Sequence, residues 1–281
     1  MKTVYVKCPA RINLFFNVTG YNQIKQLHSI TAVNQTIDLY DEVTIRNTNS
    51  SYDNISISIL PESEYNDKIY EDFYYTCKIF FAYTKIKSKN LIISIKKQID
   101  ITGLGDKASD IAGILLGLNS YYDTNLTKHE LRYIASLVNF EAPYFINGGY
   151  AKITGCGENT KPLSQNNPFN YYLILTPDID INTKEMFENI PKDYIDVKTF
   201  KEGILYNDFN EFMPDELKRL REFLLKYPEL NHSLSGIGPS YFIATNNLVT
   251  SSLKRTLKKE FPNFNSKIQK NCHGHSIITK I

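Results

Sequence analysis

Residues 91–118 read LIISIKKQIDITGLGDKASDIAGILLGL. Leu91–Lys97 is rich in β-branched residues and predicts a strand. After Gly103-Leu-Gly105 the pattern changes period. Ile111, Ile114, Leu115 and Leu118 fall at i, i+3, i+4 and i+7, which predicts a helix with one apolar face. The order is therefore strand, glycine loop, helix. Backbone N–H groups at a helix N-terminus bind phosphate when glycines let the backbone approach closely. Taken alone, a glycine pair after a strand is more often a simple turn than a phosphate loop. The loop is neither a Walker A motif nor a dinucleotide fingerprint, since neither GxxxxGK[ST] nor GxGxxG occurs.

Outward from this unit, alternation predicts strands at 3–7, 12–18, 37–45 and 55–59, with 21–26 as a loop and 47–54 as a turn cluster. Ile69, Phe73, Cys77, Phe80 and Phe81 space an amphipathic helix over 67–84. Thr127 followed by Glu130 predicts a capped helix over 127–138. Residues 162–170 are polar and rich in Pro and Asn, the best candidate for a joint between two parts. Beyond it, 171–176 and 240–244 read as strands. Helices are expected at 183–189, 197–203, 214–227 and 250–260, and a last strand at 275–280. Lys254, Arg255, Lys258 and Lys259 read as the solvated face of their helix. Ser235-Gly-Ile-Gly-Pro239 is a second glycine-rich turn. Strands interspersed with helices give an α/β (α+β) class.

Composition narrows the function. The 281 residues carry 32 Lys+Arg against 30 Asp+Glu, a net charge of +2, which disfavours a protein built to grip nucleic acid. No apolar run reaches the roughly 18–20 residues that span a bilayer, and the N-terminus lacks a signal-like apolar stretch. The four cysteines are far apart and form no CxxC pair, which argues against a cysteine zinc site and fits a cytoplasmic setting. His273 and His275 have HxH spacing but no third ligand in view, so they read as a polar pair at a strand end and no metal site is expected.

The motifs along the whole chain resemble one family. Cys8-Pro-Ala-Arg-Ile-Asn-Leu14 resembles its PAKINL opening, and Leu27-His28 lies at its Gly-Tyr-His. Gln35–Ile45 looks like its next strand. Gly103-Leu-Gly105 with Ser109-Asp110 resembles its GLGGGSSDAA phosphate loop. Phe140-Glu-Ala-Pro-Tyr-Phe145 looks like GADVPFF, and 148–151, 155–158, Asn207-Asp208 and 235–239 follow in order. The family is 4-diphosphocytidyl-2-C-methyl-D-erythritol kinase, within the GHMP kinase superfamily.

This resemblance implies a two-lobed GHMP kinase fold: a ribosomal-protein-S5-like domain over 1–160 and a C-terminal GHMP domain over 161–281. It implies a phosphotransferase with an alcohol acceptor in isoprenoid precursor synthesis. ATP with Mg²⁺ would bind at Gly103, Leu104, Gly105, Asp106, Lys107, Ser109 and Asp110. Arg11 and Glu141 hold the catalytic positions, and Asn13, His28, Thr183 and Phe187 hold substrate-binding positions. The partner expected is a small molecule, with no nucleic acid or membrane, for a monomer or homodimer.

The departures from the family are specific. Arg11 stands for its Lys and Glu141 for its Asp. Arg is a planar fork where Lys is a point charge, and Glu is one methylene longer than Asp. Asp106 and Lys107 replace two glycines of the loop. Two like unit charges at ~4 Å cost roughly 4 kcal/mol at an effective dielectric of about 20, so beside a phosphate Asp106 must turn away, pair with Lys107, or contact Mg²⁺. Without ATP it could cap the helix. Leu27 and Asn34 replace two aromatics that in the family stack on cytosine. An enzyme with a redrawn site, an impaired paralogue that binds a ligand or partner, and a GHMP kinase with another substrate all fit these changes.

Overall fold

The computed structural model describes residues 2–48, 55–87, 90–99, 103–179, 181–247 and 251–280, without the side chains of 64, 65 and 183. The outer part of the expected 47–54 turn, and Thr102 beside the glycine loop, lie outside these residues.

Two long strands found the first sheet. β1 (Thr3–Asn22) and β2 (Leu27–Asn47) form an antiparallel hairpin. The register slips between Pro9 and Ala10, Asn13 and Phe15, and Val18 and Gly20. The predicted strands 3–7 and 12–18 are thus one irregular strand, with Arg11 and Asn13 on the stretch between two of its bulges. β3 (Ile55–Leu60) pairs parallel with β4 (Leu91–Lys96), as a connection through helix α1 (Glu64–Thr84) requires. The sheet order is β12-β1-β2-β4-β3, where β12 (Ser276–Lys280) is the returning C-terminus.

Helix α2 (Asp106–Tyr121) lies on β1 and β2 at close range. A Cβ at Gly113 would sit 2.2 Å from Cys8 Sγ, and one at Gly117 would sit 2.6 Å from Ile45 Cδ1. Interior glycines weaken a helix by roughly 1 kcal/mol each, but here they let it seat against the strands. α3 (Lys128–Ser136) begins with the expected capping box: Glu130 N–H donates to Thr127 Oγ1, and Thr127 N–H donates to Glu130 Oε2. α4 (Ala142–Asn147) follows, with Pro143 in its first turn, where a missing N–H costs nothing. β5 (Ala151–Gly155) pairs β2 and β6 (Asn159–Pro162) pairs β5.

The chain then changes sheet. β7 (Tyr171–Pro177), β9 (Asn231–Leu234), β10 (Tyr241–Thr245) and β11 (Phe264–Lys270) form a second antiparallel sheet in the order β11-β7-β10-β9. α6 (Asp215–Leu224) buries Leu217, Leu220 and Leu224, and α7 (Ser251–Glu260) buries Leu257 with its four basic residues exposed. The short β8 (Tyr206–Asn207) and β12 both return to the first sheet, so the C-terminal half is laced into the N-terminal one.

One expected helix is absent. Residues 197–203 carry no regular structure. Asn17 on β1 takes their polar groups instead: its Nδ2 donates to Asp196 O (2.7 Å), and its Oδ1 accepts from Lys198 N–H (2.9 Å). Phe200 packs edge-on against Phe15. Tertiary hydrogen bonds outweigh the local preference here.

Candidate active site

Both glycine turns meet in one cleft. Gly103 adopts φ +85°, and a Cβ on it would lie 2.7 Å from Gly238 O. Ser235 Oγ donates to Gly103 O at 2.8 Å. Only a residue without a side chain lets turn 103–105 close on turn 235–239. Arg11 N–H donates to Leu104 O (2.8 Å), which binds the loop to β1 as well.

Gly105, at φ +77°, is the N-cap of α2. The first-turn N–H groups of a helix have no intrahelical acceptor and carry partial positive charge, so the start of this 16-residue helix, beside Arg11 and Phe145, is suited to an anion. Gly236, at φ +58°, lies on the opposite side, where a Cβ would be in ordinary contact, 3.5 Å from Asn13 Oδ1 and 3.6 Å from Arg11 Nη1. Among the described residues no group of three or more His, Cys, Asp or Glu is spaced to hold a metal.

Arg11 is nearly buried, and its fork bridges two elements. Nη1 donates to Gly103 O (2.8 Å) and Nη2 to Glu141 Oε2 (2.7 Å). Glu141 is the N-cap residue of α4, and its side chain remains 55% exposed to the cleft. Asn13 Nδ2 donates to Asn34 Oδ1 at 2.6 Å, while Asn13 Oδ1 is buried without a partner. A cavity of about 730 Å³ opens from these groups and runs along β2 to His28 and Phe187. His28 and Phe187 stack on each other at 5.6 Å, with 21° between the ring planes. Burial lowers the His28 pKa, so the ring faces the cavity neutral. Phe187 sits on α5 (Thr183–Glu188), where the side chain of Thr183 lies outside the described residues. Leu27, Lys184 and Lys192 also line this cavity.

The structure therefore brings Arg11, Asn13, His28, Glu141 and Phe187 to one cavity beside the glycine loop. At the loop it departs from the capping role offered for Asp106, and of the alternatives left for that carboxylate it matches the one in which it turns away. Gly105, not Asp106, is the N-cap; Asp106 is the first helical residue. Lys107 Nζ lies 2.8 Å from Asp72 Oδ2 on α1. Ser109 and Asp110 are fully buried behind the loop rather than open to it. Ser109 Oγ donates to Pro9 O at 2.7 Å.

Sequence reasoning missed Lys97. Its Nζ lies 2.7 Å from Asp110 Oδ2, 2.5 Å from Asp41 Oδ2 and 3.4 Å from Asp106 Oδ2, and its side chain is only 8% exposed. Burial by itself would lower the Lys97 pKa, but the carboxylates, Asp110 foremost, reverse this and hold it above its ordinary value. Burial raises the pKa of both Asp41 and Asp110, with Lys97 opposing it. Asp41 also accepts from Gln98 N–H (2.5 Å) and Ile99 N–H (2.8 Å). A signal was present: Asp41 is in phase with the buried Val43 and Ile45 on a strand, where a charge needs a partner.

His275 was also missed as a support. It is half-buried against α2, its Nε2 lies 3.0 Å from Ser109 O, and desolvation pushes its pKa down to about 4.

No protein-family model matches the chain. It is 33% identical over 190 residues to 4-diphosphocytidyl-2-C-methyl-D-erythritol kinase of Clostridium tetani, spanning 60% of this chain and 66% of that protein. It is 28% identical over 260 residues to the Geobacillus sp. (strain WCH70) enzyme of that name, spanning 84% and 86%. A crystal structure of 4-(cytidine 5'-diphospho)-2C-methyl-D-erythritol kinase superposes with TM-score 0.74 at 19% identity, covering 96% of this chain and all of that one. Homoserine kinase from Cytophaga hutchinsonii superposes with TM-score 0.70 at 16% identity, covering 98% and 97%. The two-sheet fold is that of the GHMP kinases.

Proposed function

The chain belongs to the 4-diphosphocytidyl-2-C-methyl-D-erythritol kinase family, and on that premise we propose that it transfers the terminal phosphoryl group of ATP to a hydroxyl of 4-diphosphocytidyl-2-C-methyl-D-erythritol. The observation that carries this reading is the Arg11–Glu141 pair at the junction of the glycine loop and the cavity. Glu141 is placed to orient the acceptor hydroxyl and accept its proton. Arg11 is placed to hold negative charge as it spreads over the transferring oxygens. The N–H groups at the start of α2 receive the phosphates of ATP. Mg²⁺, arriving with ATP, would neutralise phosphate charge. Asn13 Oδ1, an unpartnered acceptor on the cavity wall, takes a hydrogen bond from the acceptor molecule. This activity would place the protein in isoprenoid precursor synthesis.

One observation favours a second reading, a GHMP kinase with another acceptor. Asn34 stands where the family has an aromatic, and its amide is locked onto Asn13. Release of ADP that requires both ATP and 4-diphosphocytidyl-2-C-methyl-D-erythritol supports the first reading. Release with a different polyol alone supports the second.

A further inference from the structure

An aspartate at the first position of a phosphate-binding helix should repel its ligand. Asp106 holds that position, yet its side chain is only 13% exposed. It is turned back from the cleft toward Lys97, whose Nζ lies 3.4 Å from Asp106 Oδ2. Lys97 itself cannot swing toward the cleft. It is clamped by Asp110 (2.7 Å) and Asp41 (2.5 Å), both fully buried. Asp41 in turn is held by the backbone N–H groups of Gln98 and Ile99. The ammonium is therefore a fixed counter-charge directly behind the loop, between β4 and the first turn of α2.

We propose that Lys97 is the positioning residue of the glycine loop: by drawing in the Asp106 carboxylate, it leaves the N-terminus of α2 open to the phosphates of ATP. The inference rests on the reading that ATP binds at this loop. It explains how a loop that has lost two glycines keeps an anion site. The carboxylate that fills one vacated position is pulled behind the loop, and the cation that fills the other, Lys107, is drawn off to Asp72. Lys97 does not touch the nucleotide in this account; it acts through Asp106.

The test is a double-mutant cycle read by calorimetric binding of MgATP to the full chain. If the unaltered chain binds no MgATP, the ATP reading fails, whatever Lys97 does. Given binding, Lys97→Gln is expected to weaken it about tenfold or more, because the carboxylate loses its counter-charge beside the phosphates. Asp106→Asn in that background is expected to restore most of the loss. Asp106→Asn alone is expected to gain no more than about threefold, since the charge it removes is already drawn away. A Lys97→Gln loss that Asp106→Asn fails to rescue would show a purely structural role and overturn the proposal, as would no loss at all. If Lys97→Gln does not fold, the Asp106→Asn single decides alone. A gain of about tenfold or more would mean the carboxylate faces the phosphates and the proposal is wrong; a gain under threefold upholds it.

Discussion

The Arg11 guanidinium and the Glu141 carboxylate meet at 2.7 Å, one 6% exposed and the other 55%. The buried cation is fixed from behind by Gly103 O (2.8 Å), and the exposed anion is the part free to meet a substrate. Both stand where the motif resemblance places a Lys and an Asp, and here they form one connected unit. A fork is needed to reach the loop carbonyl and the carboxylate at once. The longer acid meets that fork from the end of α4.

Reverting one member alone should therefore harm the site. Arg11→Lys gives up one of two directed bonds, and Glu141→Asp withdraws the carboxylate by a methylene. Each single is expected to lower kcat by about ten- to a hundredfold, the scale of a ~1 Å misplacement. The double reversion is expected to fall short of the unaltered chain. Steady-state kinetics of all four proteins checks this.

The far end of the cavity bears on acceptor choice. Leu27 lies at its mouth and is 38% exposed, so a larger ring fits there without displacing the core. Leu27→Tyr is expected to tighten binding of CDP by about five- to a hundredfold, in line with ~1–3 kcal/mol for stacking on a base. Competition of CDP against the acceptor measures it.

The charge cluster behind the loop predicts a stability effect. Asp41→Ala leaves Lys97 with fewer partners and two backbone N–H groups unmet. Removing one partner of a buried pair costs roughly 3–5 kcal/mol, which urea unfolding should report.

Acid stability follows from His275. Its pKa is about 4 when folded, against an ordinary 6.5. The unfolded chain therefore takes up the proton first as pH falls. This contribution is complete above about pH 6.5 and is lost progressively toward pH 4. His275→Phe keeps a ring in the pocket but cannot titrate. The unaltered chain is expected to lose up to about 3 kcal/mol more than this variant across that window. Unfolding midpoints at stepped pH values give the difference directly.

The parts legible in sequence are those governed by local rules. The strand, loop and helix of 91–121 follow from a change of period, and the Thr127–Glu130 box from its spacing. Glu141 is the N-cap of α4, with Pro143 in the first turn. The illegible parts depend on distant partners. β11 is polar and half-exposed, and it is a strand because β7 offers an edge. Residues 197–203 lose their helix to Asn17, far away in sequence. In the site, Arg11 and Glu141 could be paired in advance because motif order brackets them. The phase of Asp41 signals that it needs a partner, but only the pairing of β2 with β4 makes that partner Lys97.

The central claim is phosphoryl transfer at the Arg11–Glu141 pair. Its most direct test is phosphorus NMR of the full chain with MgATP and 4-diphosphocytidyl-2-C-methyl-D-erythritol, run beside Glu141→Gln. The account expects a new phosphomonoester resonance that grows as ADP forms, and a rate at least about a hundredfold lower in the variant, the scale of general-base catalysis. No phosphomonoester from the unaltered chain, or an equal rate from Glu141→Gln, would contradict it.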